Sequence, residues 1–215
     1  MKKSVIALFV LLLLLGCAKE LPDIKVLDNF SNGINANGEA SGYAPLIWGS
    51  NISTASTQFI DIQLPEDMLK LGYKPRKYLK VEFFPSWYQE DKFAPFLAVK
   101  PFAILGDWSG YDNLNFELKK EGLNTSLILH LFDCKGDVRE RWTRGFYLGS
   151  GYENFTLVSV SLDQDSWLLD PDPDKNDGQL DLSNICFMSI LFKPLGANVT
   201  NTYYIKSFYL SREQN

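Results

Sequence analysis

Strand-like segments succeed one another along almost the whole of this chain, and helix is nearly absent from it. Segments 24–30, 43–49, 57–64, 77–84, 93–103, 113–119, 126–133, 139–146, 155–162, 185–192 and 203–210 are short and rich in Val, Ile, Phe and Tyr, and clusters of Gly, Asn, Asp and Pro separate them. Only 65–71 reads as helix, with Pro65 at its start and Gly72 at its end. Within the segments apolar and polar residues alternate. Leu79, Val81 and Phe83 oppose Lys80, Glu82 and Phe84; Leu114, Phe116 and Leu118 oppose Asn115, Glu117 and Lys119; Val158, Val160 and Leu162 oppose Leu157, Ser159 and Ser161. Successive side chains on a strand point to opposite faces, so each strand has one side for a core and one for solvent. Strands that have no helices to cover them must cover one another. The expected fold is therefore all-β, a two-sheet antiparallel β-sandwich in a single domain from 24 to 212, with no repeat, long linker or low-complexity tract to mark a second.

The first sixteen residues stand outside that pattern. Lys2 and Lys3 precede an uninterrupted apolar run from Val5 to Leu15, too short for the roughly 20 residues a membrane-spanning helix needs, so 1–16 reads as an export signal. Leu14-Leu15-Gly16-Cys17 closes it and resembles the lipobox of bacterial lipoproteins. That resemblance implies cleavage before Cys17 and diacylglycerol, with further acyl chains such as palmitate, on the new N-terminus; the alternative is a plain secretory signal with a chance cysteine. Residues 17–23 then form a lipidated tether, its polar part at most about 20 Å long when extended. Ala18 lacks the Asp that follows the cysteine in inner-membrane lipoproteins, which by the same resemblance points to the outer membrane of a bacterial cell envelope.

Twenty-one Lys and Arg face 26 Asp and Glu, and loss of Lys2 and Lys3 with the signal moves the formal net charge from −5 to −7. An acidic body with no basic run is not a nucleic-acid-binding protein, and membrane attachment rests on its acyl chains. Beyond Cys17 there are two cysteines, Cys134 at the end of one predicted strand and Cys186 at the start of another. In an oxidising compartment they form one disulfide, if the strand ends lie within about 4.4–6.8 Å between Cα atoms, or stay as two buried thiols. With no C-x-x-C and a single histidine, His130, the usual zinc ligand sets cannot be assembled.

Several segments together resemble galactose-binding-like jelly rolls. The opening Val26-Leu27-Asp28-Asn29-Phe30-Ser31-Asn32-Gly33 is similar to their "D-F-(E/S)-x-G" start, and Asp107-Trp108-Ser109-Gly110-Tyr111-Asp112-Asn113-Leu114-Asn115-Phe116-Glu117-Leu118 to their "W-x-x-Y-x-x-L-x-F-x-(L/V)" stretch. Residues 126–137, 155–162, 182–185 and 203–210 follow in the same order, so the resemblance covers most of the mature chain. It points to carbohydrate-binding modules of the family 11 kind and to the complex-I intermediate-associated 30 kDa domains. It implies a jelly roll that binds glycan on a concave sheet and holds structural Ca2+ near the paired first and last strands. One departure is evident: where relatives end in "I-D-D-I-x-L", this chain has Ile205-Lys206-Ser207-Phe208-Tyr209-Leu210, and lysine cannot ligate a cation.

Candidate sites follow from residue chemistry. A pyranose stacks its C–H face on an aromatic ring while polar neighbours take its hydroxyls. Trp87 and Tyr88 after a strand, and Trp142 between arginines, are the candidate rings, whereas Trp108 and Tyr111 belong to the core. Polar positions opposite the apolar rows, Glu82, Glu117 and His130, together with Arg139 and Arg141 in shared phase, are the candidate hydrogen-bonding groups. They are expected on one face of one sheet. For calcium the candidates are Asp28 and the loop residues Asp172, Asp174 and Asp177, whose alternate spacing suits a hard cation and equally suits a solvated, proline-stiffened loop. Glu82 with Glu117 could supply a glycosidase pair, but no nucleophile motif such as G-x-S-x-G is present, and an enzyme is not expected. Two partner classes stay open: a polysaccharide or cell-surface glycan, or an envelope protein.

Overall fold

The computed structural model describes residues 23–28, 30, 43–46, 52–61, 77–85, 96–99, 106–135, 138–170 and 177–213. The predicted helix at 65–71 lies outside these residues. Twelve strands are described: β1 Ile24–Asp28, β2 Tyr43–Leu46, β3 Ile52–Asp61, β4 Lys77–Pro85, β5 Phe96–Val99, β6 Asn113–Glu121, β7 Thr125–Lys135, β8 Val138–Leu148, β9 Thr156–Ser161, β10 Leu168–Leu169, β11 Ile185–Pro194 and β12 Asn201–Ser211. They match the predicted series except that β3 begins earlier and β10, two residues beside β8, is an addition.

Two six-stranded sheets result, every pairing antiparallel. The first runs β3-β4-β12-β6-β9, with β1 also paired to β12; the second runs β10-β8-β7-β11-β5-β2. The alternation does what it foretold. Leu79, Val81, Phe83, Leu114, Phe116, Leu118, Val158 and Val160 from the first sheet and Leu127, Leu129, Leu131, Met188, Ile190 and Phe192 from the second are buried in one core. Rings join the sheets: Phe192 of β11 stacks on Tyr203 of β12 at 4.1 Å between centroids, and Phe83 of β4 lies 6.0 Å from Phe192. The Tyr203 hydroxyl, carried into the core by its ring, shares a hydrogen bond of 2.7 Å with Thr125 Oγ1, which satisfies a polar group that burial otherwise penalises.

Two local devices hold this arrangement. In β12 the register with β6 slips between Lys206 and Phe208, where Ser207 takes φ +24°. The extra residue of this bulge restores the inward phase, so that Phe208 and Leu210 continue the buried row of Tyr203 and Ile205. Gly122, at the turn from β6 to β7, has φ +105°, and a Cβ there would lie 2.8 Å from both Asn201 Oδ1 and Thr200 O, so only glycine fits. Cys134 and Cys186 are joined as a disulfide between β7 and β11, with Cα atoms 5.7 Å apart.

Candidate functional site

Register assigns every side chain of the second sheet to the core or to its outer face. Because Leu127, Leu129 and Leu131 are buried, Ser126, Ile128, His130, Phe132 and Cys134 of β7 point outward. Directly beside them on β8 stand Tyr147, Gly145, Thr143, Arg141 and Arg139. On the other side, β11 places Ser189 opposite His130 and Phe187 opposite Phe132. The face thus gathers a histidine, a pair of phenylalanines, two arginines and an exposed tyrosine.

His130 Nδ1 is 3.1 Å from Ser189 Oγ, and its ring meets Phe132 edge-on at 6.4 Å. Phe132 in turn packs edge-on against Phe187 at 5.1 Å. Burial of the imidazole, reinforced by the charge of Arg141 and partly offset by Asp170, holds the His130 pKa below its ordinary value, so the ring is neutral at neutral pH. Arg141 is paired with Asp170, whose backbone N–H also donates to Arg141 O at 2.9 Å; this pair tethers the residue after β10 to β8. Arg139 is exposed. Tyr147 is 60% exposed, enough for one side of its ring to receive a ligand.

His130, Arg139 and Arg141 therefore share one face. The other expected members do not join them. Glu82 and Glu117 sit on β4 and β6, on the outer face of the first sheet, on the far side of the sandwich. There Glu82 pairs with Lys80 at 2.9 Å and Glu117 with Lys206 at 2.9 Å. Both belong to polar rows, as expected, but polar rows of different sheets look in opposite directions. Trp142 is a second correction. Preceded by the exposed Arg141, it is itself 3% exposed, in the core opposite Leu131, with Nε1 donating to Asp133 Oδ2 at 3.2 Å. No twist or bulge turns it outward. Trp87 and Tyr88 lie outside the described residues, as does Cys17. Ser189, Phe187 and Tyr147 are members of the face that residue-by-residue reading did not single out; cross-strand register with His130 and Phe132 is the only signal that finds them.

Of the four calcium candidates the structure describes two, and it holds them on different sheets. Asp172 and Asp174 lie outside the described residues. Asp28, on β1 of the first sheet, is buried and accepts the Phe30 N–H at 2.7 Å. Asp177 bonds to the second sheet instead: its carboxylate pairs with Lys135 at 3.0 Å and its N–H donates to Glu140 Oε1. Among the described residues no three His, Cys, Asp or Glu side chains converge as a ready ligand set. A different acidic group does present itself. Asp133 and Glu140 face each other across β7 and β8, are 2% and 4% exposed, and Glu140 Oε2 is buried with no hydrogen-bond partner among the described residues. Burial, against the Asp181 N–H that donates to it and together with the charge of Glu140, raises the Asp133 pKa above the ordinary carboxylate value. An orphaned buried carboxylate oxygen beside a second carboxylate is chemistry that a hard cation fits.

No family model matches the chain, and no curated protein is significantly similar to it in sequence. Solved structures share its fold. A family 11 carbohydrate-binding module from Clostridium thermocellum, in complex with a beta-1,3-1,4-mixed-linked tetrasaccharide, superposes with a TM-score of 0.60 at 16% identity over 91% of this chain and 99% of that one. A family 30 carbohydrate-binding module superposes with a TM-score of 0.51 at 11% identity over 88% and 99% of the two chains. An agarase does so with a TM-score of 0.51 at 15% identity over 90% of this chain but 25% of its own. At these identities the likeness is one of architecture, and it establishes that the two sheets form the jelly roll of the carbohydrate-binding modules.

Proposed function

We propose that this protein is a non-catalytic glycan-binding lipoprotein whose ligand lies across the outer face of the second sheet. The observation that carries the reading is the register of β8, β7 and β11, which brings Arg141, His130, Ser189, Phe132, Phe187 and Tyr147 onto one face of a fold shared with solved carbohydrate-binding modules. Rings offer apolar platforms for sugar C–H groups, while His130, oriented by the buried Ser189, and the guanidinium take hydroxyls. Each such hydrogen bond replaces one to water and contributes about 0.5–1.5 kcal/mol, so affinities in the range of roughly 1 µM to 1 mM are expected. Affinity electrophoresis against a panel of polysaccharides tests this. His130→Ala should weaken retention by about three- to tenfold, the loss of one such bond, with the melting temperature little changed. A folded protein that retains no polysaccharide yet recovers an envelope protein in a pull-down establishes the rival reading, a protein-binding module.

The same proposal places the protein on a bacterial membrane, probed through Cys17. Mass spectrometry of the mature N-terminus should read acylated Cys17, and Cys17→Ala should yield an unprocessed or soluble product. Retention of that variant on washed membranes refutes the anchor.

Calcium enters through Glu140. If a divalent cation is bound, Glu140 Oε2 and Asp133 are the residues that would hold it, and its charge would relieve the repulsion between two buried carboxylates. EDTA should then lower the melting temperature, excess calcium should restore it, and Glu140→Gln should abolish the response. Without a cation, the raised Asp133 pKa means that the folded state binds a proton more tightly than the unfolded one. Stability then falls as pH rises through and above the usual carboxylate range, with no response to EDTA.

A further inference from the structure

We propose that the glycan taken by the outer face of the second sheet is acidic, bearing carboxylate or sulfate groups, and that Arg139 is its principal anion contact. The inference rests on the glycan-binding reading above and adds to it the class of sugar.

It comes from how differently the two outer faces hold their charges. On the first sheet three lysines each have a carboxylate: Lys80 with Glu82 at 2.9 Å, Lys119 with Glu121 at 2.7 Å and Lys206 with Glu117 at 2.9 Å. Lys206 also lies 3.9 Å from the centre of the Phe155 ring, and Lys119 5.2 Å from that of Tyr204. These three cations are neutralised where they stand.

On the second sheet the register puts Arg139 and Arg141 in phase with His130, and Asp170, beyond the end of β10, is the carboxylate that pairs with Arg141. Asp170 is committed to Arg141. Arg139 is exposed opposite Cys134, and no carboxylate reaches it among the described residues. Among the described residues Arg139 is thus a positive charge with no carboxylate beside it on a chain whose formal net charge is −5, and such a charge attracts anionic ligands. His130 is held neutral by its burial and contributes hydrogen bonds in place of charge.

Arginine suits the task. Its planar fork of N–H donors matches both oxygens of a carboxylate or sulfate at once, and it carries its charge at every physiological pH. Arg139 and Arg141 are two residues apart on one strand, about 7 Å along it, so a chain of acidic sugars lying along β8 meets both. Phe132, beside Arg141, gives the sugar ring an apolar neighbour.

The test uses full-length protein in detergent and four polymers: polygalacturonate, the same polymer with its carboxyls reduced to alcohols, a sulfated galactan, and neutral mixed-linkage β-glucan. Polygalacturonate or the sulfated galactan should bind about tenfold or more tightly than the reduced and neutral polymers, and which of the two binds identifies the anion. That affinity should fall as salt rises from about 0.05 to 0.3 M, where charges more than about 10 Å apart become screened. Arg139→Gln should remove most of the preference and Arg139→Lys should return part of it, while Lys119→Gln on the opposite face changes nothing. Neutral polymers bound as tightly as acidic ones, or an unaltered preference in Arg139→Gln, overturn the acidic assignment and leave glycan binding standing. A folded protein that retains none of the four overturns both.

Discussion

Trp142→Ala is expected to lower the unfolding free energy by about 3–5 kcal/mol while leaving glycan affinity unchanged in whatever fraction stays folded. The indole is 3% exposed in the middle of β8, so truncation opens a cavity that the close-packed sheets cannot fill. It also removes the donor to Asp133 Oδ2, an oxygen that takes the Asp181 N–H at 2.9 Å as well. A buried carboxylate that loses a donor is costly in itself, and the segment leading into β11 loses rigidity at its anchor. Trp142→Phe separates the two contributions: it keeps most of the volume and forfeits the hydrogen bond, for an expected loss of about 1–3 kcal/mol. Denaturant titration of both variants reads the difference. If Trp142→Ala keeps its stability and loses glycan retention, the ring belongs to the binding face and its place in the core is wrong.

Phe116→Ala should cost a similar amount, about 3–5 kcal/mol, which in a domain of this size corresponds to a melting temperature lower by roughly 6–20 °C. Phe116 is fully buried on β6, an interior strand of the first sheet, with its ring 5.4 Å from Phe208; Phe208 in turn meets Phe30 edge-on at 5.8 Å. Removing the ring therefore loosens the three-ring cluster that joins β6, β12 and the residues after β1. Leu157→Ala is the matched control: Leu157 stands opposite Glu117 on the same sheet but is 53% exposed, and its loss should change stability by no more than about 0.5 kcal/mol. Equal melting temperatures for Phe116→Ala and Leu157→Ala are incompatible with the buried row as described.

These two aromatic residues show what kind of information lay in the chain. Phe116 stands in an unbroken alternation, Leu114-Asn115-Phe116-Glu117-Leu118, and period two translates directly into one buried and one exposed row. Trp142 stands in Arg139-Glu140-Arg141-Trp142-Thr143-Arg144, where charge crowds both sides, and composition suggested a ring at the surface. The same alternation places it inward, and places Glu140 inward with it. Phase outweighed polarity there, because a strand within a sheet cannot turn one residue over without a bulge.

The sequence by itself determined the all-β class, the antiparallel sandwich, most strand positions, and the buried rows of β4, β6, β7 and β9, since each follows from local alternation and turn chemistry. It also put His130 outward and Arg139 in phase with Arg141. Only the tertiary structure decided which strands share a sheet, and so that Glu82 and Glu117 look away from His130. Alternation states a side chain's parity along its own strand, whereas sheet membership is settled by pairings between residues as far apart as Asp28 and Phe208, which no local pattern encodes. The disulfide between Cys134 and Cys186, the bulge at Ser207 and, among the described residues, the lack of a partner for Glu140 Oε2 and of a carboxylate for Arg139 are of that second kind. Each depends on what a neighbouring strand places opposite, and that neighbour is chosen by the packing of the whole core.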